Sequence, residues 1–293
     1  MKKSILIITY GREEEFLDTI KQISNYKKDD IELLILDNNS ENHLEKYVNE
    51  ILTNCSFEYK YFCEGINYGV AKGRNYLIQK ALGEILITLD DDIEIEDINI
   101  LINKVDYYFN ENSDVGCLAF NIKNFYTKES VSYEIPHGNK RLDFKNNLYT
   151  YYFIGAGHAI KKSVYDKVGM YPEDLGLYGG EELDLSFRII ENKFKILYTA
   201  DIIVYHKASP NGRMGSKKQS FYKYQNRLKV IYRYMPKMYV KSNIAIWSAY
   251  YILKSGNIKG VIETLNILKN MDRNEISKET VKYLKEVNAR LIY

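Results

Sequence analysis

Leu86-Ile87-Thr88-Leu89-Asp90-Asp91-Asp92 is a short apolar run that ends abruptly in three consecutive carboxylates. A run of this length bounded by charge reads as a buried strand that delivers side chains to its C-terminal edge, where open α/β sheets place their ligands. Three carboxylates at one strand end repel each other unless a cation sits among them. A hard divalent metal meets that need, because Mg²⁺ or Mn²⁺ is held by one or two carboxylates together with phosphate oxygens of a substrate. A solvated acidic turn, or a helix N-terminal cluster continued by Glu94, Glu96 and Asp97, accounts for the same residues without a metal.

Outward from that strand, the first half alternates short apolar runs with longer mixed segments, the pattern of βα units and a mostly parallel sheet. Strands are predicted over residues 5–8, 33–36, 58–62, 85–89 and 115–120, with helices over 13–25, 41–52, 70–82 and 98–110. Gly83 reads as the C-cap of the third helix, and Asp37-Asn38-Asn39-Ser40 as the entry to the second. Residues 121–150 lose periodicity and carry Pro136 and Gly138, which points to hairpins or a mobile loop. Phe153-Ile154-Gly155-Ala156-Gly157-His158-Ala159-Ile160 reads as close-packed backbone leading into a short helix over 163–168. A second acidic cluster, Gly179-Gly180-Glu181-Glu182-Leu183-Asp184, opens a helix running to about Asn192. Late strands are expected over 196–198 and 202–205, and helices over 221–293 with breaks at Pro236 and Ser255-Gly256-Asn257.

A chain of 293 residues buries a sizeable core as one large domain or as one domain with an appendage. Cys55, Cys63 and Cys117 are too few and too widely spaced for a zinc site or a disulfide framework, and read as buried thiols of a reducing compartment. The apolar run after Met1-Lys2-Lys3 is too short for a secretory leader and reads as the first strand. The longest later apolar stretch, residues 244–253, is half of the ~20 needed to cross a bilayer, so no membrane span is expected. The net charge of +2 hides an asymmetry: residues 216–293 hold 16 Lys and Arg against 5 Asp and Glu, whereas residues 1–215 carry nine more acids than bases. No acidic residue occurs from Ile202 to Ile262. Such a field draws phosphates, acidic lipid headgroups or nucleic acid.

Group transfer from an activated phosphate donor needs a metal platform for the leaving phosphates, a base for the incoming hydroxyl and a cradle for the nucleotide. Asp90, Asp91 and Asp92 are candidates for the first. His206, which ends a strand before Pro210, Gly212 and Gly215, offers a nitrogen ligand, and serves equally as a structural histidine. Glu182 on a glycine-preceded helix start is the candidate base, and an ordinary helix-start carboxylate has the same pattern. Asn67-Tyr68-Gly69-Val70-Ala71-Lys72-Gly73-Arg74-Asn75 places two cations near a helix N-terminus, suited to a diphosphate and equally to a solvated basic face.

The order Thr9-Tyr10-Gly11-Arg12, Asp37-Asn38-Asn39-Ser40, Asn67 to Asn75, Asp90-Asp91-Asp92, Gly180-Glu181-Glu182-Leu183-Asp184-Leu185 and His206 resembles family 2 glycosyltransferases of the GT-A fold, bacterial surface-polysaccharide type. The resemblance implies an α/β domain over 1–215, with a mostly parallel central sheet flanked by helices, a nucleotide-sugar half to about residue 120 and an acceptor half over 121–215. A basic helical extension would fill 216–293. It implies inverting transfer from a nucleotide diphosphate sugar, with a UDP-sugar favoured by Asp37 and the intact D-x-D motif, and Mn²⁺ or Mg²⁺ as cofactor. By the same resemblance Thr9 and Arg12 lie beside the nucleotide, Asp37 contacts the base, and Lys72 and Arg74 lie near ribose or phosphate. Tyr10, Asn39, Asn67, Gly69 and Asp91 join that nucleotide-sugar site. Asp92 would ligate the metal, Asp90 would hold ribose or the metal shell, and His206 matches the late metal-ligand histidine. Glu182 falls where the family usually carries Asp as base, with Glu181 before it and Asp184 beyond. The extra methylene lets Glu182 serve a shifted acceptor or leaves the work to Glu181.

Residues 220–236 mix cations with aromatic and aliphatic residues, and resemble the segment that follows the catalytic domain in bacterial members that extend lipid-linked sugars. They read as an interfacial helix on an anionic membrane or as a cap packed on the core. The expected acceptor is a lipid-linked saccharide of capsule or other surface polysaccharide, with a protein or metabolite acceptor as the alternative. A nucleotidyltransferase would use the same carboxylates but release pyrophosphate. A basic nucleic-acid-binding module has no use for a D-x-D site, so nucleic acid is not an expected partner. The expected location is cytoplasmic, or peripheral on the inner face of the cell membrane.

Overall fold

The computed structural model describes residues 1–39, 41, 43–176, 178–211 and 215–292; Ser40 and Gly212, quoted above, lie outside the described residues. The first four strands, β1 (Lys3–Thr9), β2 (Ile31–Asp37), β3 (Glu58–Cys63) and β4 (Ile85–Asp90), pair in parallel in the order β3-β2-β1-β4. β2 is buried along its whole length because helices cover both sheet faces. Strand alternation sorts the core into two layers. Ile5, Ile7, Leu33, Ile35, Ile85 and Ile87 face Phe16 and Ile20 of α1 (Glu13–Ile23), Val48 of α2 (Glu45–Leu52) and Ile102 of α4 (Ile98–Glu111). Leu6, Leu34, Leu36 and Leu86 face Leu77 and Ile78 of α3 (Gly69–Lys80) on the other side.

The remainder of the sheet is mixed. After the short β5 (Ile93–Glu94) and α4 come β6 (Val115–Asn124), β7 (Leu148–Thr150) and β8 (Gly157–Lys161). The glycine-rich stretch read as close-packed backbone is β8, a central strand that runs antiparallel to both β4 and β6. Gly157 sits there because a Cβ would lie 3.0 Å from Ile122 and Val204 side chains. The two late strands expected from sequence form one, β9 (Lys195–His206), parallel to β6. The interruption survives as a register shift that pairs Phe120 with Thr199 but Asn121 with Ile203, and Asn121 Nδ2 donates to the Ala200 carbonyl at 2.8 Å across it.

Two helix boundaries differ from expectation. α2 starts at Glu45 rather than 41, because the preceding turn is tied to Asp37 by Asn39 N–H at 2.8 Å. Gly83 is not the cap of α3, which ends at Lys80 with Ala81 extended. It is instead where β1 crosses, since a Cβ on Gly83 would lie 2.6 Å from the Lys3 carbonyl carbon and the Ser4 nitrogen. Buried Glu32 accepts Leu82 N–H at 2.5 Å, Gly83 N–H at 3.2 Å and the Ser4 hydroxyl at 2.6 Å, so the helix-to-strand turn leaves no orphan donor there. Of the cysteines, Cys117 is buried and Cys55 and Cys63 are half-buried; all are free thiols.

α5 (Lys162–Val168) and α6 (Glu181–Glu191) lead to the C-terminal helices α7 (Ser216–Tyr234), α8 (Lys237–Ser255), α9 (Ile258–Lys269) and α10 (Lys278–Glu286). Val230, Ile231 and Tyr234 of α7 and Leu284 of α10 share a core with Leu185 and Ile189 of α6. Asn226 on α7 donates to the carbonyls of Tyr178 at 3.0 Å and Gly179 at 2.8 Å, fixing the turn that opens α6. Among the described residues no helix is long and apolar enough to cross a membrane. Gly83→Ala is expected to destabilise the protein by about 1–3 kcal/mol through overpacking against backbone, read as a lowered urea midpoint at unchanged m-value.

Candidate active site

The order β3-β2-β1-β4 reverses direction between β1 and β4, and the C-terminal ends of these strands meet at that switch point. Ile8 pairs with Asp90 and Thr9 with Asp37, so the motifs of three strands arrive at one edge. Asp90 is the last residue of β4 and 34% exposed, while Asp91 and Asp92 are buried in the turn before β5.

The carboxylates share the surrounding cations. Arg12, at the entry to α1, places Nη1 2.6 Å from Asp91 Oδ1 and 3.2 Å from Asp92 Oδ1. Burial nevertheless pushes the Asp91 carboxyl up to about 6. Asp92 Oδ2 accepts the Ser209 N–H at 2.8 Å, and its Oδ1 faces His206 Nε2 at 3.2 Å. That approach lacks hydrogen-bond geometry: both atoms are buried polar atoms with no hydrogen-bond partner among the described residues. Burial opposes the charge on His206, but Asp92, Glu134 and Asp90 together push its imidazole up to about 10. His206 Nδ1 is bonded to Glu134, which aims Nε2 at the carboxylates.

Ligand atoms of Asp90, Asp92 and His206 all lie within 4.8 Å of one another. Two buried atoms without hydrogen-bond partners, Asp92 Oδ1 and His206 Nε2, together with the second carboxylate, Asp90, open to the cleft, make a donor set of two carboxylates and one imidazole that fits a divalent cation such as Mn²⁺ or Mg²⁺.

A second cluster forms where α3 meets α6. Arg74 is buried; its Nη1 donates to Glu182 Oε1 at 2.9 Å and lies 3.7 Å from Glu181 Oε1, and its Nη2 lies 3.8 Å from Asp90 Oδ1. Burial works against the Arg74 charge, but Glu182 and the neighbouring anions hold the guanidinium firmly protonated. Burial first, then the charge of Glu182, pushes the Glu181 carboxyl up. Glu182, with its side chain 19% exposed, lines the cleft. Gly155 makes room for this pair, since a Cβ there would lie 2.4 Å from Glu182 Oε1 and 2.5 Å from Arg74 Nη2.

The other expected site residues divide. Tyr10, Arg12, Asn67, Gly69, Arg74, Asp90 and Asp91 line one cavity of about 1280 Å³ with Glu181, Glu182 and His206. Thr9 and Asp37 are fully buried at their strand ends. Asp37 Oδ1 accepts Asn39 Nδ2 at 2.6 Å, its Oδ2 accepts the Tyr61 hydroxyl at 2.5 Å, and Asn39 Oδ1 accepts Gly11 N–H at 3.1 Å, so these residues brace the cleft floor from behind. Lys72 is exposed and lies 3.9 Å from Glu173. Asp184 is buried with Oδ1 on Arg188 at 2.9 Å and Oδ2 on Arg233 at 2.6 Å, which places it in the joint between α6 and α7 rather than in the cavity wall. Sequence reasoning did not pick out Asn38 or Glu134, nor Lys140, Lys223, Arg227, Trp247 and Arg290, which also line the cavity. Glu134 sits in an aperiodic segment with no local signal; the basic and aromatic composition after residue 216 was the only pointer to the last four.

Residues 4–169 match the model of glycosyl transferase family 2, so the chain belongs to that family. An uncharacterized protein of Haemophilus influenzae is 56% identical over 170 residues, 58% of this chain and 92% of the relative. The fold is similar to a mannosyltransferase from Pyrobaculum calidifontis in complex with GDP-Man and Mn²⁺, with TM-score 0.60 at 16% identity over 97% of this chain and 79% of that one. It is also similar to residues 1–349 of S. aureus TarS in complex with UDP-GlcNAc, with TM-score 0.59 at 15% identity over 92% and 80%. The architecture is the GT-A fold with added C-terminal helices, and the family makes the protein a sugar-transferring enzyme.

Glu134→Ala is expected to weaken Mn²⁺ binding by about 10–100-fold, read by calorimetry, because His206 loses its aim. The raised Glu181 carboxyl means that the native state holds a proton which the unfolded chain releases above the ordinary glutamate range. Stability therefore falls as pH rises through that window, and Glu181→Gln is expected to flatten the fall in a pH series of urea unfolding curves.

Proposed function

We propose that this enzyme inverts the anomeric centre while moving a sugar from a UDP-sugar to a hydroxyl of a lipid-linked saccharide in bacterial surface-polysaccharide synthesis. Asp90, Asp92 and His206 would hold Mn²⁺ or Mg²⁺. The observation that carries this reading is the gathering of those ligand atoms within 4.8 Å, with Asp90 and His206 lining the cavity that Glu182 also lines and Asp92 buried behind them. A bound divalent cation would supply Lewis-acid stabilisation of the leaving diphosphate. The imidazole in the donor set favours Mn²⁺ over Mg²⁺.

Glu182 is the base. It faces the cleft and is oriented by Arg74, whereas burial shifts Glu181 toward its neutral form and makes it the poorer proton acceptor. Arg74 also keeps Glu182 and Asp90 from repelling each other across the reacting centre. Attack opposite the leaving diphosphate inverts the sugar carbon in one displacement. Asp37 acts on the nucleotide base as a positioning residue, through the Asn38–Asn39 turn that it braces. The similarity to TarS, found with UDP-GlcNAc, supports the uridine donor. A cavity of about 1280 Å³ exceeds the usual ~300–1,000 Å³ of a single-ligand site, and its lining includes Lys140, Lys223, Arg227 and Arg290. Room for two substrates and these basic lining residues suit an acceptor that bears phosphate.

Purified protein incubated with UDP-, GDP- and dTDP-sugars, in Mn²⁺ or Mg²⁺ against EDTA, is expected to release nucleoside diphosphate from one UDP-sugar only when metal is present. Absence of release together with absence of UDP binding by calorimetry would sink the reading. Asp92→Ala is expected to abolish metal-dependent release. Glu182→Gln should lower kcat by about 10²–10⁴-fold, while Glu181→Gln stays within a few-fold; the reverse order would move the base to Glu181.

A further inference from the structure

The run read either as an interfacial helix or as a cap packed on the core, residues 220–236, turns its apolar side chains inward: Tyr224, Leu228, Val230, Ile231 and Tyr234 of α7 are buried. The exposed apolar surface lies on the next two helices. Along α8, Met238 is 67% and Leu253 86% exposed, with Ile246 and Tyr250 exposed between them at spacings that keep all four on one face. Exposed Ala245 and Ala249 fill the same stripe, and Ile258 and Ile262 extend the exposed apolar surface onto α9.

Charge borders that stripe. Lys237 and Lys241 fall on one flank, Lys254 on the other, and Lys259 beside Ile258, all exposed. No acid occurs from Ile202 to Ile262, so nothing on α8 repels an anionic surface. An apolar stripe between lysines matches the boundary of an anionic bilayer, with side chains in the acyl layer and ammoniums at the headgroup phosphates. An independent observation points the same way: the inner face of α8 contributes Asn243 and Trp247 to the cavity wall. A helix with its side chains is about 10–12 Å across, so a surface touching the outer face lies close to the acceptor end of the cavity.

We propose that the outer face of α8 and the start of α9 dock this enzyme on an anionic lipid bilayer, presenting the acceptor end of its cavity to lipid-linked saccharide. The orientation rests on the lipid-linked acceptor read above; the docking face rests on α8 and α9 alone. A second copy is the competing occupant, but self-pairing of this face would bring its lysines against lysines.

The test is co-sedimentation of the full chain with phosphatidylcholine vesicles, with and without phosphatidylglycerol. The wild type is compared with the Met238→Glu/Leu253→Glu and the Lys237→Glu/Lys241→Glu/Lys254→Glu variants. These positions are exposed and outside the site, so circular dichroism and donor hydrolysis should match the wild type. The wild type is expected to bind phosphatidylglycerol vesicles at least about tenfold more tightly than neutral ones, with salt weakening the binding and both variants losing most of it. Equal binding to both vesicles, variants that bind like the wild type, or a doubled mass in light scattering that Met238→Glu/Leu253→Glu returns to monomer would each overturn the proposal. Donor hydrolysis is read separately: if it fails while lipid binding and its loss in the variants hold, the reading of the catalytic site falls and the docking face stands.

Discussion

Crowding of like charge at the end of β4 is the constraint around which this structure is arranged. Asp90, Asp91, Asp92, Glu134, Glu181 and Glu182 all line or back one cavity, and all but Asp90 and Glu182 are buried. Buried carboxylates persist only when paired, hydrogen-bonded or neutralised. Arg12 comes from the entry to α1, Arg74 from α3 and His206 from the end of β9, so each counter-charge travels on a different element. Burial pushes the Glu181 carboxyl toward its neutral form. Even so, Asp92 Oδ1 and His206 Nε2 have no hydrogen-bond partner among the described residues.

The cavity draws its lining from two sources. Some residues come from the C-terminal edges of parallel strands, where backbone register dictates which residues meet; others come from α7, α8 and the 125–147 loop, which long-range packing brings there. Asp184 joins α6 to α7 by holding Arg188 on its own helix and Arg233 on α7. Residues of α7 and α8 thus line the same cavity as Asp90 and Glu182.

Glu182 needs space and a clamp. Gly155 on the approach to β8 supplies the first, and Arg74 the second, with its guanidinium 5.3 Å from the centre of the Tyr171 ring. A side chain at position 155 would press on the Glu182 carboxylate and the Arg74 guanidinium.

Spacing and local chemistry sufficed to read the βα half, the acidic strand end at Asp90, the carboxylates opening α6 and the histidine that closes β9. Each of those signals lies within a few residues of chain, where strand length, helix-start preferences and glycine act directly. The antiparallel insertion of β8, the register shift that keeps β9 whole and the outward stripe of α8 were not legible, and for α7 the packed cap stood beside an interfacial helix as an equal reading. Glu134, 72 residues from the histidine it orients, was not legible either. These depend on which distant surface each segment meets, and an amphipathic pattern states that a face must be covered without naming what covers it. Local sequence thus settled which groups could do chemistry, while long-range packing decided which of them share a cavity, because burial and pairing energies exist only once remote elements are in contact.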